Sequence, residues 1–149
     1  MQYRTLAPTR ARTLTRTLTL TLTTSLALLA GCSMFSTTPT QAVSLLEPAH
    51  GATVTSPFKV RFGVQGMVVA PAGDVVAGSG HHHLLINQDA VPSGTVVPVT
   101  PQHIHFGKGQ TETDVTLPPG VYRLTSQFAN GAHQSYGPAL SQTITVTVK

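Results

Sequence analysis

The stretch FKVRFGVQ, residues 58–65, alternates apolar and polar side chains with a period of two. Successive side chains of a β-strand point to opposite faces of its sheet, so this alternation predicts a strand with one buried face. No segment shows the apolar period of about 3.6 residues that an amphipathic helix requires. The pattern therefore indicates an all-β fold.

The same alternation recurs in the second half of the chain, at residues 114–117, 122–128 and 143–148. Turn-forming sequences separate these segments, among them PPG at 118–120 and NG at 130–131. Residues 44–149 have the length of one immunoglobulin-like domain, which is roughly 100 residues. We expect these residues to form an immunoglobulin-like antiparallel β-sandwich, with a small barrel as the alternative.

Tyr122 follows the PPG turn and lies just inside a predicted strand. This placement is similar to the tyrosine corner of Greek-key sandwiches. An ordinary core tyrosine is the alternative interpretation.

Residues 1–31 are typical of a signal peptide. Four arginines and no acidic residue occur in the first sixteen positions, and a Leu- and Thr-rich segment follows. This segment ends in LAGC at 29–32, which resembles the lipobox of bacterial lipoproteins, where cleavage precedes the cysteine and its thiol is lipidated. A β-strand over residues 14–22 is the alternative, because Leu and Thr alternate there.

Cys32 is the only cysteine, so the chain cannot form an internal disulfide, and its thiol is the predicted site of lipidation. Several acyl chains on one residue hold a protein firmly on a membrane. We expect residues 32–43 to be the lipidated cysteine and a flexible tether, because this segment is small and polar. By resemblance to lipoprotein sorting, Ser33 after the cysteine implies the outer membrane, with the domain facing the periplasm.

The net charge of +4 does not describe the body of the chain. Four of the nine basic residues lie in the first sixteen positions, whereas the chain after Cys32 carries five basic and five acidic residues. A nucleic-acid-binding domain needs a basic patch on its folded surface, and none is visible in this body. We therefore expect no nucleic-acid partner.

Five of the seven histidines lie in two short motifs, HHH at 81–83 and HIH at 103–105. Alternate residues of a strand share a face, so the first and third histidine of each motif point the same way. The middle histidine of HHH points the other way. Two such pairs on facing or neighbouring strands could supply three or four nitrogen ligands to one metal ion.

The predicted metal ligands are His81, His83, His103 and His105, with His133 as an outer candidate from a loop and His82 as an additional one. Neutral imidazole suits zinc, copper, nickel and iron, and the scarcity of carboxylates near the motifs disfavours calcium and magnesium. We therefore expect an envelope protein that binds copper or zinc for storage, delivery or sensing.

Other functions stay open at this point. Clustered histidines can also form a buried hydrogen-bond network, which would favour a structural domain of the cell envelope that meets a protein partner. They can also sense pH, because imidazole titrates near neutrality. An enzyme is not expected. A His-x-His strand is similar to part of the copper–zinc superoxide dismutase ligand set, but the acidic zinc ligand of that family has no evident counterpart here.

Four segments carry a resemblance to a known family: GHHHLLIN at 80–87, HIHFGKGQTE at 103–112, LPPGVYRL at 117–124 and SYGPALSQTITVTV at 135–148. They resemble the bacterial family catalogued as domain of unknown function 4399, over residues 43–149. The resemblance implies an exported β-domain, often a lipoprotein, with no established activity. The family pattern is matched by His81, His82, His83, His103, His105 and Gln110, and a subgroup pattern by His133. Many members have a histidine where Tyr122 stands, so the resemblance implies no ligand at that position.

Overall fold

The computed structural model describes residues 40–149. The predicted signal peptide, the predicted lipidation of Cys32 and most of the predicted tether lie outside these residues. The described strands are β1 (Ala42–Glu47), β2 (Thr53–Val54), β3 (Phe58–Gln65), β4 (Val68–Val69), β5 (Ser79–Ile86), β6 (His103–His105), β7 (Glu112–Val115), β8 (Gly120–Ala129) and β9 (Ser141–Val148). A turn of 3-10 helix, η1 (Pro138–Leu140), precedes β9. Within this part of the chain, no helix has the length and hydropathy that a membrane span needs.

Three strands form a small antiparallel sheet in the order β1-β3-β7. The alternation of FKVRFGVQ explains the two faces of this sheet. Phe58, Val60 and Phe62 are buried, whereas Lys59 and Arg61 between them are exposed. The strand predicted for residues 58–65 is therefore confirmed, together with its buried face.

The other six strands form the main sheet in the order β2-β9-β8-β5, and both β4 and β6 pair with the remaining edge of β5. Pairing among β5, β6, β8 and β9 is antiparallel. The two-residue strands β2 and β4 instead pair in parallel with β9 and β5. The main sheet is thus antiparallel in its centre and mixed at its edges.

The two sheets share one hydrophobic core. Its buried members are Leu45, Phe58, Val60, Phe62, Leu84, Ile86, Phe106, Val115, Leu124, Ile144, Val146 and Val148. Both sheets contribute alternate residues to this core, as the period of two requires. The all-β prediction is confirmed, while the immunoglobulin-like type of sandwich stays a prediction.

Tyr122 of β8 packs against this core with its ring partly buried. Its hydroxyl donates a hydrogen bond to the carbonyl of Pro118 at 3.0 Å. A tyrosine corner makes the same kind of bond to the backbone a few residues upstream. The residue therefore combines the packing of a core tyrosine with the hydrogen bond of a tyrosine corner.

Strand β5 is buried along all eight of its residues. On the inner face, Leu84 and Ile86 belong to the shared core. On the outer face, Leu85 packs against Val91 and Val97 of the long connection from β5 to β6. Because both faces are covered, every polar side chain on this strand is removed from bulk water.

Gln127 of β8 holds the covering segments onto the outer face. Its Oε1 accepts a hydrogen bond from the backbone N–H of Val91 at 3.0 Å. Its Nε2 donates to the carbonyls of Gly137 and Leu140 at 3.1 and 3.2 Å. This buried amide ties the β5–β6 connection and the segment before β9 to the centre of the main sheet.

Candidate metal centre

Strand pairing brings the two histidine motifs together on the outer face of the main sheet. His83 of β5 lies directly opposite His105 of β6. His81 precedes His83 by two residues and therefore shares its face. Three imidazoles from neighbouring strands consequently occupy one patch of this face.

A fourth imidazole comes from the turn after β8. The side-chain Oδ1 of Asn130 accepts hydrogen bonds from the backbone N–H groups of Ala132 and Gln134, both at 3.0 Å. Within this turn His133 adopts a left-handed φ of 66°. Its carbonyl accepts a hydrogen bond from Val97 at 2.9 Å, which joins the turn to the covering connection. These bonds direct the ring of His133 toward the other three.

We call His81, His83, His105 and His133 the outer histidine cluster. The centroids of all six ring pairs lie between 4.5 and 5.9 Å apart. The Nε2 atoms of His81 and His83 are 3.1 Å apart and share a hydrogen bond, in which the tautomers of the two rings decide the donor. One ligand atom from each of His81, His105 and His133 lies within 4.8 Å of the other two. These three histidines are therefore close enough to hold a metal ion.

His103 lies outside the outer histidine cluster, although the sequence predicts it as a ligand. It pairs with Leu85, two residues further along β5 than His83. Its Nδ1 lies 2.9 Å from the hydroxyl of Thr100, so the ring has a local partner. The strand register therefore places His105 in the cluster and His103 beside it.

His82 points into the shared core between the two sheets. Its ring stacks on Phe62 with the centroids 4.8 Å apart, and it meets Phe128 edge-on at 5.0 Å. Both of its ring nitrogens are buried without a hydrogen-bond partner among the described residues. The geometry separates this candidate ligand from the cluster by the thickness of the main sheet.

Buried nitrogens of the cluster also lack hydrogen-bond partners. Nδ1 of His81, Nδ1 of His83 and Nε2 of His105 are shielded from solvent and unpaired among the described residues. Leaving a buried polar group unsatisfied costs about 1–3 kcal/mol. A hydrogen-bond network would give such nitrogens partners, because buried polar groups in folded proteins are nearly always paired.

Burial disfavours the charged form of these rings. Burial first, and the neighbouring imidazoles second, lower the pKa of His81 to about 4 and the pKa of His83 to about 3. The pKa of His105 is also lowered, first by burial and then by His133. His81 and His83 are consequently neutral at pH 7, which is the form of imidazole that binds metal.

All four cluster histidines lie within residues 60–149, which match the family described as Domain of unknown function (DUF4399). The chain belongs to this family. The match confirms the resemblance carried by the two histidine motifs, and it assigns no activity. No curated protein and no solved structure matches the chain.

In this DUF4399 domain, residues 70–74, which we call the strap, connect the loop after β6 with the turn after β8. The backbone N–H of Ala72 donates to the carbonyl of Gly107, and that of Gly73 donates to the carbonyl of Gly131, both at 2.9 Å. The half-buried rings of His105 and His133 thus lie on segments that are hydrogen-bonded to the same strap. This arrangement limits how far the two rings can move apart.

Two glycines of the DUF4399 domain are required by close packing around the cluster. A Cβ at Gly107 would overlap the ring of His105. A Cβ at Gly131 would overlap the backbone carbonyl of Asp74 in the strap. The glycine of the HIHFG motif is therefore the sequence signal of a direct contact with a cluster ring.

Proposed function

We propose that this domain binds a transition metal ion, copper or zinc, through the outer histidine cluster, for storage, delivery or sensing in the cell envelope. One observation supports the proposal most strongly. Four imidazoles converge at one place, and the buried Nε2 of His105 has no hydrogen-bond partner among the described residues. A cation bound through Nε2 atoms would give that nitrogen the partner that the protein does not supply.

The spacing of the nitrogens suits a single ion. Zinc–nitrogen bonds of 2.0–2.1 Å in a tetrahedral site put two ligand nitrogens about 3.3 Å apart. The Nε2 atoms of His81 and His83 lie 3.1 Å apart, whereas the ligand atoms of His81, His105 and His133 lie within 4.8 Å of one another and would have to draw together by up to about 1.5 Å. In this proposal His81, His105 and His133 are the core of the ligand set, and His83 is the fourth ligand.

The lowered pKa values and the fixed positions of the cluster rings favour metal binding. The pKa values of the buried rings are lowered, so few protons have to leave before a metal ion enters at neutral pH. The strap and the Asn130 turn hold the two half-buried ligands near the buried ones. Ligands that are already positioned lose less conformational freedom when they bind.

We further propose that the domain is anchored by lipid on Cys32 to the outer membrane and faces the periplasm. The LAGC sequence at 29–32 and the basic first sixteen residues support this location. The partners would be the metal ion, the membrane and an envelope protein that exchanges the ion. We propose a binding module rather than an enzyme, because an acidic ligand of the kind that copper–zinc superoxide dismutase uses for zinc is missing from the group of potential ligands among the described residues.

Two double variants that each remove two histidines test metal binding. After equilibrium dialysis against Cu(II) or Zn(II), the wild type and the His50→Ala/His103→Ala control should retain one equivalent of metal per chain. The His105→Ala/His133→Ala variant should retain none. In the wild type, metal should raise the melting temperature and a chelator should reverse this rise.

Two results would contradict the proposal. Equal metal content in the two double variants would show that the cluster is not the binding site. If no protein retains metal and the cluster variant merely melts at a lower temperature, the histidines have the structural role of a buried network.

A further inference from the structure

The outer histidine cluster contains no negative charge. Among the described residues, the carboxylates of Glu47, Glu112 and Asp114 form ion pairs with Lys59 or Arg61 on the small sheet. Asp89 pairs with Arg123. The backbone carbonyl of Asp74 lies against Gly131, and the Asp74 side chain is not in the group of potential ligands.

The same site is closed to water on the side of the main sheet, whereas the rings of His105 and His133 are half-buried. His81 and His83 are fully buried, and they lie on a strand that is covered on both faces. Gly107 closes directly against the ring of His105. A cation bound here would exchange most of its hydration shell for neutral nitrogen ligands.

The charge of the ion then sets the free-energy cost of removing it from water into the site. The cost of moving an ion into a medium of low polarity rises with the square of its charge in the Born description. Four neutral imidazoles cancel none of this charge, so a divalent ion would keep both of its positive charges. A monovalent ion avoids most of this cost.

We propose that the cluster, if it binds metal as proposed above, holds copper preferentially in the monovalent state. The preference comes from charge and not from soft ligands, because thiolate and thioether ligands, which select Cu(I), are missing from the cluster. Met67 is the nearest methionine along the chain to the HHH motif, and it packs in a different apolar cluster with Val43 and Leu140. The ligand chemistry of the site is thus that of cuprous ion in a neutral, desolvated nitrogen pocket.

Two affinities measured on the full domain test the preference. Cu(I) is titrated without oxygen against bicinchoninate, and Cu(II) is titrated in air against nitrilotriacetate. We expect the dissociation constant for Cu(I) to be at least 100-fold lower than that for Cu(II). Such a ratio places the Cu(II)/Cu(I) potential of the site about 118 mV or more above that of aqueous copper, at 59 mV per tenfold change.

A matched pair of variants isolates the charge. His133 has a left-handed φ of 66°, and Asp and Asn are the non-glycine residues that best tolerate this conformation. His133→Asp adds one negative charge to the cluster, whereas His133→Asn has nearly the same shape and adds none. The ratio of Cu(I) to Cu(II) affinity should be at least tenfold lower in the Asp variant than in the Asn variant.

The outcomes separate the two proposals. If the wild type binds copper but holds Cu(II) as tightly as Cu(I), or if the two variants have equal ratios, the monovalent preference is overturned and metal binding stands. If the wild type binds neither copper ion nor zinc, the proposed function itself fails.

Discussion

The two faces of strand β5 place the same residue type in opposite surroundings. His82 on the inner face and His83 on the outer face are consecutive, and both are fully buried. His82 stacks on Phe62 and meets Phe128, so its neighbours are hydrocarbon rings. His83 meets three other imidazoles. Burial alone therefore does not make a histidine a ligand, because a ligand also needs other donors aimed at the same point.

The largest expected difference between the two faces is in metal affinity. His83→Leu should weaken metal binding on the order of 1,000-fold, equivalent to about 4 kcal/mol, because it removes a proposed ligand. His82→Leu should leave the affinity unchanged, because the main sheet separates its ring from the cluster. Isothermal titration with Zn(II) measures both. Equal losses in the two variants would remove the distinction between the faces.

The second prediction concerns acid stability and the inner face. Burial lowers the pKa of His82 to about 4, whereas an unfolded histidine titrates near 6.5. Between these values the unfolded chain binds the extra proton, so stability falls as the pH falls from 6.5 toward 4. His82→Phe removes this titrating group. Between pH 7 and pH 4 the free energy of unfolding should therefore fall by about 3 kcal/mol less in the variant than in the wild type.

Urea unfolding at both pH values, with a chelator present, measures this difference. The other buried histidines titrate alike in the wild type and the variant, so they cancel in the comparison. A variant that loses as much stability as the wild type would contradict a neutral His82 in the core.

The third prediction concerns the packing that shapes the outer face. Gly107→Ala places a Cβ against the ring of His105, and overpacking of this kind costs about 1–3 kcal/mol. The ring must move, so metal affinity should fall together with the melting temperature. Gly78→Ala is the control, because its Cβ meets open space and only its left-handed φ of 74° is strained. If metal affinity falls equally in both, the contact with His105 is not responsible.

The smallest expected effect comes from the turn that carries His133. Asn130→Ala removes the side-chain oxygen that accepts two backbone hydrogen bonds and should cost about 1 kcal/mol of stability. Metal affinity should fall about tenfold, in the range seen for groups that position ligands. Asn130→Asp retains an accepting oxygen and should recover most of both losses. An Asp variant no better than the Ala variant would contradict this positioning role.

The sequence predicted the faces that the histidines of HHH occupy. The period of two in HHH and HIH implies that His81 and His83 share one face and that His82 has the other, as the structure has it. No sequence pattern predicted the role of Gln127, because a glutamine at a polar position of an alternating strand is typical of a solvated residue. Its burial depends on the covering connection, whose path does not follow from local pattern.

The local geometry of each strand follows from the sequence alone, since side-chain direction in a strand depends only on backbone alternation. Which histidines meet depends on the tertiary structure. The register of β6 against β5 sets His105 beside His83 and leaves His103 beside Leu85. The turn after β8 adds His133, 28 positions after His105 in the chain. Contacts between residues so distant in sequence depend on how the strands pair and how the loops fold over them, and no local pattern encodes either.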